Sequence, residues 1–119
     1  MQYLLLIYSD ETLGANMSPA EQQQLHADYM TYTQELVTAG VMRAGDALLP
    51  TTSATTVRVR GNETMTTDGP FAETKEALGG YYLIEVANLD EALKWAAKIP
   101  SAKHGSIEVR PVMVFDKPA

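Results

Sequence analysis

The densest cluster of charged and turn-forming residues in the chain lies between Thr67 and Glu76, and catalytic chemistry is first expected there. Asp68-Gly69-Pro70 predicts a tight turn, because Asp accepts a hydrogen bond from its own backbone, Gly takes a positive φ and Pro fixes φ. Asp68 is therefore a candidate general base or ligand anchor held in a rigid turn. The alternative is that Asp68 only caps its own turn.

The rest of this loop supplies candidate ligand-binding residues. Glu73 and Lys75 would point the same way in an extended loop and offer an acid and a cation to one substrate, whereas in a helical turn they would diverge. The alternative is a surface ion pair of little energetic value. Phe71, in the same loop, is counted with them as a candidate ligand-binding residue.

A second candidate group lies towards the end of the chain. Glu108 and Arg110 alternate on a predicted strand, so they lie about 7 Å apart on one face of a sheet. Arg110 could clamp a carboxylate or phenolate, and the alternative is an ion pair across strands or across a dimer. His104, in the loop before that strand, is a candidate general acid or base, or a solvated loop residue. Asp68 and His104 are the predicted catalytic residues.

Composition excludes several classes of function. The chain has no cysteine and only two histidines, His26 and His104, far apart, so neither a metal site nor a bound cofactor is expected. Gly79-Gly80 precedes a strand and is no dinucleotide fingerprint. A net charge of -6 disfavours nucleic acid. The apolar run that ends at Tyr8 is too short for a signal peptide or membrane span, which predicts a cytoplasmic protein.

The pattern of apolar, capping and turn residues predicts four long strands, one hairpin and two helices in the 119 residues, read as a single domain, 1–119. The predicted elements are strand Tyr3 to Tyr8, loop Asp10 to Met17, a helix from Ser18 to Gly40, strand Val41 to Leu49 broken at Gly45-Asp46, the hairpin Thr56–Arg60 and Glu63–Thr67 around Gly61-Asn62, strand Tyr81 to Val86, a helix from Asn88 to Pro100, and strand Ser106 to Met113.

This order predicts an α+β fold of the ferredoxin-like, split βαβ type with two helices on one face and an inserted hairpin. The buried stripe of the first helix is predicted as Leu25, Tyr29, Tyr32 and Leu36, and that of the second as Leu89, Ala92, Leu93, Ala96 and Ala97. Since two helices cover only one face of the sheet and the strands are apolar on both faces, a second subunit is expected on the other face.

The segment from Asp68 to Gly80 resembles the signature of the YCII-related family of DGPF-type proteins. It reads Asp68-Gly69-Pro70-Phe71, then Ala72-Glu73-Thr74-Lys75-Glu76 and Gly79-Gly80, and flanking blocks match along most of the chain. The resemblance implies a ferredoxin-like domain that pairs into a dimeric α+β barrel with a cleft. It also implies one of two roles: a companion of an extracytoplasmic-function sigma factor, or, as in distant relatives, a cofactor-free enzyme acting on chlorinated aromatics.

The sequence departs from those enzymatic relatives at both of their catalytic positions. Their histidine would fall nearer Gln23 than His26, and Ile99 stands where they have an aspartate. Their activity is therefore not carried over, and His26 is predicted to be structural or solvated. Tyr29, Tyr32, Tyr81 and Tyr82 could line an aromatic pocket, although such spacings are more often core or interface.

Two functions follow as expectations. The first is cofactor-free proton transfer or elimination on a small anionic or phenolic compound, in a cleft where the Asp68 to Glu76 loop meets the strand of Glu108 and Arg110. The second is a non-enzymatic regulatory or interaction module that works with a sigma factor.

Overall fold

The computed structural model describes residues 1–115 and has an α+β fold with an antiparallel sheet, a separate hairpin and three helices. The last four residues of the predicted domain lie outside the described residues. Two 3₁₀ turns cover Thr51–Ser53 and Pro100–Lys103. The strands and helices are β1 (Gln2–Ser9), α1 (Glu11–Ala15), α2 (Pro19–Thr38), β2 (Met42–Ala47), β3 (Thr55–Arg60), β4 (Glu63–Asp68), β5 (Ala77–Glu85), α3 (Leu89–Ala97) and β6 (Ser106–Pro111).

The four long strands form one sheet in the order β2-β5-β1-β6, and β3 and β4 form a sheet of their own. Each strand of the large sheet is antiparallel to its neighbours, so β5 separates the parallel strands β1 and β2. This is the strand order of a ferredoxin-like split βαβ sheet, and β3 and β4 are the predicted inserted hairpin.

The hydrophobic core lies between α2, α3 and one face of the large sheet, here called the inner face. Alternation along β1 buries every second side chain, as expected for a sheet packed on one side. From the helices, Tyr32 and Leu36 of the predicted α2 stripe are fully buried. The buried residues are Tyr3, Leu5, Ile7, Tyr32, Leu36, Tyr82, Ile84, Ala92, Ala96 and Ile99.

The predicted buried side of α3 is partly wrong. Leu89 and Leu93 are 47% and 46% exposed and Ala97 is exposed as well. The predicted Ala92 and Ala96 are buried, and Trp95 packs against the core. The small alanines allow α3 to approach the sheet closely, so the helix turns its alanine and tryptophan side inward and its leucines outward.

Three helix ends were predicted correctly because capping depends on local sequence, whereas α3 ends at Ala97, before the predicted Pro100. Ser18 and Glu21 form a reciprocal capping box, with both bonds at 3.1 Å. Gly40, with a φ of 74°, ends α2 in the left-handed conformation that glycine favours. The side chain of Asn88 accepts a bond from the Glu91 amide at 3.0 Å and caps α3.

The elements differ from the prediction most clearly in α1, β2 and β5. The predicted loop Asp10 to Met17 contains α1, which Asp10 caps by accepting a bond from the Thr12 amide at 2.9 Å. β2 continues through Gly45-Asp46, and its irregularity falls between Met42 and Ala44 instead. β5 begins at Ala77 instead of Tyr81. Gly80 allows this part of β5 to lie close to β2, since a Cβ there would be only 2.9 Å from the Asp46 carbonyl oxygen.

The turn predicted at Asp68-Gly69-Pro70 forms with Gly69 at a positive φ, as expected, but Asp68 still belongs to β4. Asp68 ends β4 in register with Thr55, and Gly69, with a φ of 96°, makes the turn. The Gly69 amide donates to the Ala54 carbonyl at 2.7 Å, which fixes the base of the hairpin.

None of the described helices has the length and apolar character that crossing a membrane requires.

Candidate functional site

A cavity of about 540 Å³ opens between α2 and the inner face of the large sheet and is here called the helix–sheet pocket. α2 supplies His26, Tyr29 and Thr33, which follow each other at spacings of three and four and so share one face of the helix. β5 supplies Tyr82, and the 3₁₀ turn after α3 supplies Ser101. Elements that are distant in the sequence therefore meet around one cavity.

Two hydroxyl pairs cross this pocket from α2 to the facing elements. Tyr29 Oη donates to Ser101 Oγ at 2.6 Å. Thr33 Oγ1 and Tyr82 Oη are 2.7 Å apart, and either can be the donor. Hydroxyl groups can donate and accept, so both pairs can exchange their mutual bond for bonds to a ligand.

Burial controls the ionisation of the pocket tyrosines. It raises the pKa of Tyr29 above the ordinary value, although the hydrogen bond to Ser101 opposes the rise. Behind it, burial raises the pKa of Tyr32, whose hydroxyl donates to the Trp95 carbonyl at 2.9 Å. The Tyr32 ring meets Tyr82 edge to face, with centroids 5.2 Å apart. At neutral pH the pocket therefore presents a protonated phenol donor on a rigid aromatic wall.

One group at the rim of the pocket can move a proton. His26 is exposed on α2 one turn before Tyr29, and an imidazole can accept or donate a proton near neutral pH. On the sheet side, Tyr81 donates to Asp46 Oδ2 at 2.5 Å, and this bond raises the pKa of Tyr81. The strand register places Asp46 and Tyr81 opposite each other on the outer face of the sheet, so their bond points away from His26.

The predicted site residues are spread over several places. Asp68 is exposed at the end of β4, and Phe71 is 79% exposed in the loop that follows. Glu73 lines a shallow cavity of about 390 Å³ with Glu11, whose carboxylate accepts a 2.8 Å bond from the Thr51 amide. The loop does not bring Asp68, Glu73 and Lys75 into one described cavity, so their proposed roles stay predictions.

His104 and Lys75 do come together, in a cavity of about 560 Å³ with Asp10, Leu13 and Glu76, here called the open charged cavity. Hydrogen bonds from Thr12 lower the pKa of Asp10, and the charge of Lys75 lowers it further. The Glu76 carboxylate accepts a bond from Ser106 Oγ at 2.8 Å. This cavity, next to the start of β6, therefore brings the predicted residues Lys75 and His104 together with the carboxylates of Asp10 and Glu76.

Glu108 and Arg110 lie on the outer face of the large sheet, as their alternation predicts. They are opposite Leu6 and Leu4 of β1, and the Arg110 Nε donates to Glu108 Oε2 at 2.6 Å. Their side chains are 40% and 66% exposed. They pair with each other within one strand, whereas the alternative offered from sequence was a pair across strands or across a dimer. Ligand binding by either stays a prediction.

Only some of the residues that line the helix–sheet pocket were considered as pocket residues from the sequence. Tyr29 and Tyr82 were weighed as pocket residues but assigned to core or interface, and His26 was assigned a structural or solvated role. Thr33, Asp46 and Ser101 were not candidates. The spacing of His26, Tyr29 and Thr33 marks one helix face, but nothing local to Ser101 shows that it meets Tyr29.

Within residues 1–115, no group of three or more His, Asp or Glu side chains is arranged to hold a metal ion.

Comparison with known proteins identifies the family. The sequence matches the YCII-related domain over residues 1–116. The chain belongs to the YCII-related family. A member from Rhizobium meliloti strain 1021, an uncharacterized protein, is 42% identical over 117 residues, covering 97% of this chain and 94% of that protein.

A solved structure supports the YCII-related fold. The chain resembles 5-chloro-2-hydroxyhydroquinone dehydrochlorinase from Burkholderia phenoliruptrix AC1100, solved in complex with 2,5-dihydroxybenzoquinone, with a TM-score of 0.52. The two are 15% identical, and the match covers 95% of this chain and 94% of the dehydrochlorinase. At this identity the likeness shows a shared α+β fold.

Proposed function

We propose that the helix–sheet pocket binds a small phenolic or quinone-type compound and supports cofactor-free acid–base chemistry on it. The observation that carries this proposal is the placement of two hydroxyl pairs, Tyr29 with Ser101 and Thr33 with Tyr82, on the walls of one pocket. Its volume of about 540 Å³ lies within the range of small-molecule sites.

The pocket suits a flat ring with oxygen substituents. Tyr82, flanked by the Tyr32 ring, provides an aromatic surface, and the hydroxyl pairs provide donors and acceptors for the ligand oxygens. The dehydrochlorinase of the same fold was solved with a dihydroxybenzoquinone, which supports this ligand class. A ligand without oxygen substituents would leave the hydroxyls paired with each other and gain only apolar contacts.

The residues present allow a proton transfer or an elimination. His26 takes a proton from the substrate, and the electron pair of the broken bond moves towards a ring oxygen or expels a leaving group with its electrons. Tyr29, which its raised pKa keeps protonated, donates a hydrogen bond to the oxygen that becomes negative.

The open charged cavity supports a second location for the same chemistry. His104 and Lys75 were predicted from the sequence as a proton carrier and an anion-binding group, and they line one cavity. There Lys75 would hold an anionic substrate and His104 would move the proton. The predicted roles of Asp68, Phe71, Glu73, Glu108 and Arg110 remain predictions alongside it.

We also infer the finer features that the family implies. The outer face of the large sheet carries Leu4, Leu6 and Leu83, which the helices do not cover, and this supports a homodimer of the barrel type through that face. A single domain and a cytoplasmic location are part of the same proposal. A regulatory role with an extracytoplasmic-function sigma factor is the alternative to enzymatic activity.

A thermal-shift screen against phenols, quinones, benzoates and inorganic phosphate tests the proposed function, because a ligand that binds the native state raises the melting temperature. A phenol or quinone should stabilise the wild type, and Tyr29→Phe and His26→Gln should each reduce the shift at least several-fold.

The competing variant is His104→Gln, which changes the only other histidine. Loss of the shift in His104→Gln, with His26→Gln unaffected, would move the site to the open charged cavity. No shift with any compound would contradict small-molecule binding by this class and favour the regulatory alternative.

A further inference from the structure

One glycine of the helix–sheet pocket is required by a neighbouring side chain and not by its own backbone. Gly45 lies on β2, at the edge of the large sheet, and lines the pocket. Its φ is not positive, so other residues could adopt its backbone conformation. A glycine inside a strand weakens the strand, and it often marks a place where another group needs the space of a side chain.

The space beside Gly45 is filled by the ring of Tyr82. The strand register places these two residues directly opposite each other on β2 and β5. A Cβ at position 45 would lie only 2.8 Å from Tyr82 Cδ1 and 3.1 Å from Met42 Cε. At Gly80 and Gly105, in contrast, the first atom that a Cβ would meet belongs to the backbone. Gly45 therefore lacks a side chain where a pocket residue needs the room.

Two further contacts hold the Tyr82 ring in this position. The ring meets Tyr32 edge to face with centroids 5.2 Å apart, and its hydroxyl oxygen lies 2.7 Å from Thr33 Oγ1. Because Tyr82 is only 8% exposed, the room into which it could move is that of the pocket. A methyl group at position 45 would therefore push the ring, and with it the hydroxyl that Thr33 contacts, towards the cavity.

The contact between Gly45 and Tyr82 also has a purely structural interpretation. An aromatic ring that covers a glycine of an edge strand stabilises the sheet, whatever its hydroxyl contacts. The hydroxyl of Tyr82 distinguishes the two roles, because it is paired with Thr33 on the wall of the pocket. If Gly45 served the sheet alone, this pair would not depend on it.

We propose that Gly45 is a positioning residue of the helix–sheet pocket, which lets the Tyr82 ring lie on β2 so that its hydroxyl pairs with Thr33. This pair then binds one ring oxygen of a ligand, and the pair of Tyr29 with Ser101 binds the second. The pocket thereby selects rings with two oxygen substituents over rings with one. The selection of the ligand rests on the proposed function, whereas the positioning of Tyr82 does not.

A double-mutant cycle measured by urea unfolding without ligand tests the positioning. Thr33→Val and Tyr82→Phe each remove the same hydrogen bond, so their effects should be coupled. The unfolding equilibrium constant of the double variant should be roughly fivefold lower than the two single effects would give if they were independent. In a Gly45→Ala background this coupling should fall to about onefold, because the two hydroxyls no longer meet.

Gly79→Ala is the matched control for the cycle. Gly79 is a glycine of β5 without a positive φ, and the atom nearest to a Cβ there, apart from its chain neighbours, is the Ile7 carbonyl oxygen at 4.0 Å. The fivefold coupling should persist in this background. Coupling that persists equally in Gly45→Ala would overturn the proposal and leave Gly45 with a role in the sheet alone.

The Hα resonances of Gly45 give a second measurement that needs no substitution at this residue. An aromatic ring packed on these protons shifts their NMR frequencies, and Tyr82→Leu gives the value without the ring. Thr33→Val should leave the resonances near their wild-type positions, because the contact with Gly45 places the ring. If Thr33→Val alone moves them to the Tyr82→Leu value, the hydroxyl pair positions the ring and the proposal is wrong.

Hydroquinone and phenol, measured by titration calorimetry, test the selection of the ligand. The wild type and Gly79→Ala should bind hydroquinone roughly fivefold more tightly than phenol, and Gly45→Ala should bind the two about equally. Equal binding by the wild type, or a preference that Gly45→Ala retains, would overturn the selection. Binding of neither ring would contradict the proposed function, and the two measurements without ligand would still decide the role of Gly45.

Discussion

The two parts of this molecule differ in how they are stabilised. In the large sheet and its helices, Leu5, Leu36, Ile84 and Ile99 are fully buried, and the elements pack on each other. In residues 55–76, which comprise β3, β4 and the signature loop and are here called the arm, the strands pair with each other and expose their apolar side chains. The family signature begins in the arm, whereas the cavity with paired hydroxyls lies between the large sheet and its helices. The densest cluster of reactive residue types along the chain therefore does not line the cavity that has the paired hydroxyls.

The largest effect that tests this difference is the cost of removing apolar atoms from each part. Leu36→Ala should reduce the free energy of unfolding by about 2–5 kcal/mol, because it leaves a cavity in the core. Val57→Ala should change it by less than about 0.5 kcal/mol in the monomer, since the side chain is exposed there. Urea unfolding at protein concentrations too low for a dimer measures both changes in the free energy of unfolding. Equal losses in the two variants would contradict the difference in packing between the core and the arm.

The amount of structure that could be predicted from sequence follows the same division. The caps at Ser18 and Asn88 and the turn at Gly61-Asn62 depend on neighbouring residues, and the prediction of each was confirmed. The predicted buried side of α3 was right for Ala92 and Ala96 and wrong for the leucines, because close packing on the sheet selects small residues whereas apolar periodicity favours leucine.

The site was predicted less well because it depends on contacts between distant residues. Tyr29 and Ser101 are 72 positions apart, and no local pattern joins them. The clustering of Asp68 with Glu73 and Lys75 assumed that neighbours in a loop share a site. The fold instead placed Lys75 with His104 and left Asp68 at the end of β4.

The second effect is a loss of stability at alkaline pH that originates in the packed part. Burial raises the pKa of Tyr29 and of Tyr32, so both hold their protons more tightly in the native state than in the unfolded chain. Their contribution is fully present below the unfolded pKa of about 10 and is lost as pH rises through the folded pKa. The urea midpoint should therefore fall between pH 9 and 12, less steeply in Tyr32→Phe. An identical slope in that variant would show that Tyr32 is not involved.

A smaller effect should come from the cap of α2, the helix that carries half of the pocket. Ser18→Ala removes the acceptor for the Glu21 amide and should reduce the free energy of unfolding by about 1 kcal/mol. Glu21→Gln keeps a capping-box side chain and is the control. If both variants unfold at the same urea concentration as the wild type, the reciprocal cap does not stabilise α2.

The smallest effect should come from the exposed ion pair on β6. Arg110→Ala should change the free energy of unfolding by less than about 0.5 kcal/mol, because its pair with Glu108 is largely exposed and water screens it. It should also leave the thermal shift of a pocket ligand unchanged. A ligand shift lost in Arg110→Ala would restore Arg110 as a ligand-binding residue.

The most direct test of the proposed pocket is an NMR titration of the two histidines with the phenol or quinone that gives the largest thermal shift. The chain has only His26 and His104, so each imidazole proton resonance can be assigned with one variant. His26 lines the helix–sheet pocket and His104 lines the open charged cavity. We expect the His26 resonance to move with ligand concentration while that of His104 stays in place. Movement of His104 alone would place the ligand in the open charged cavity and contradict the proposed site.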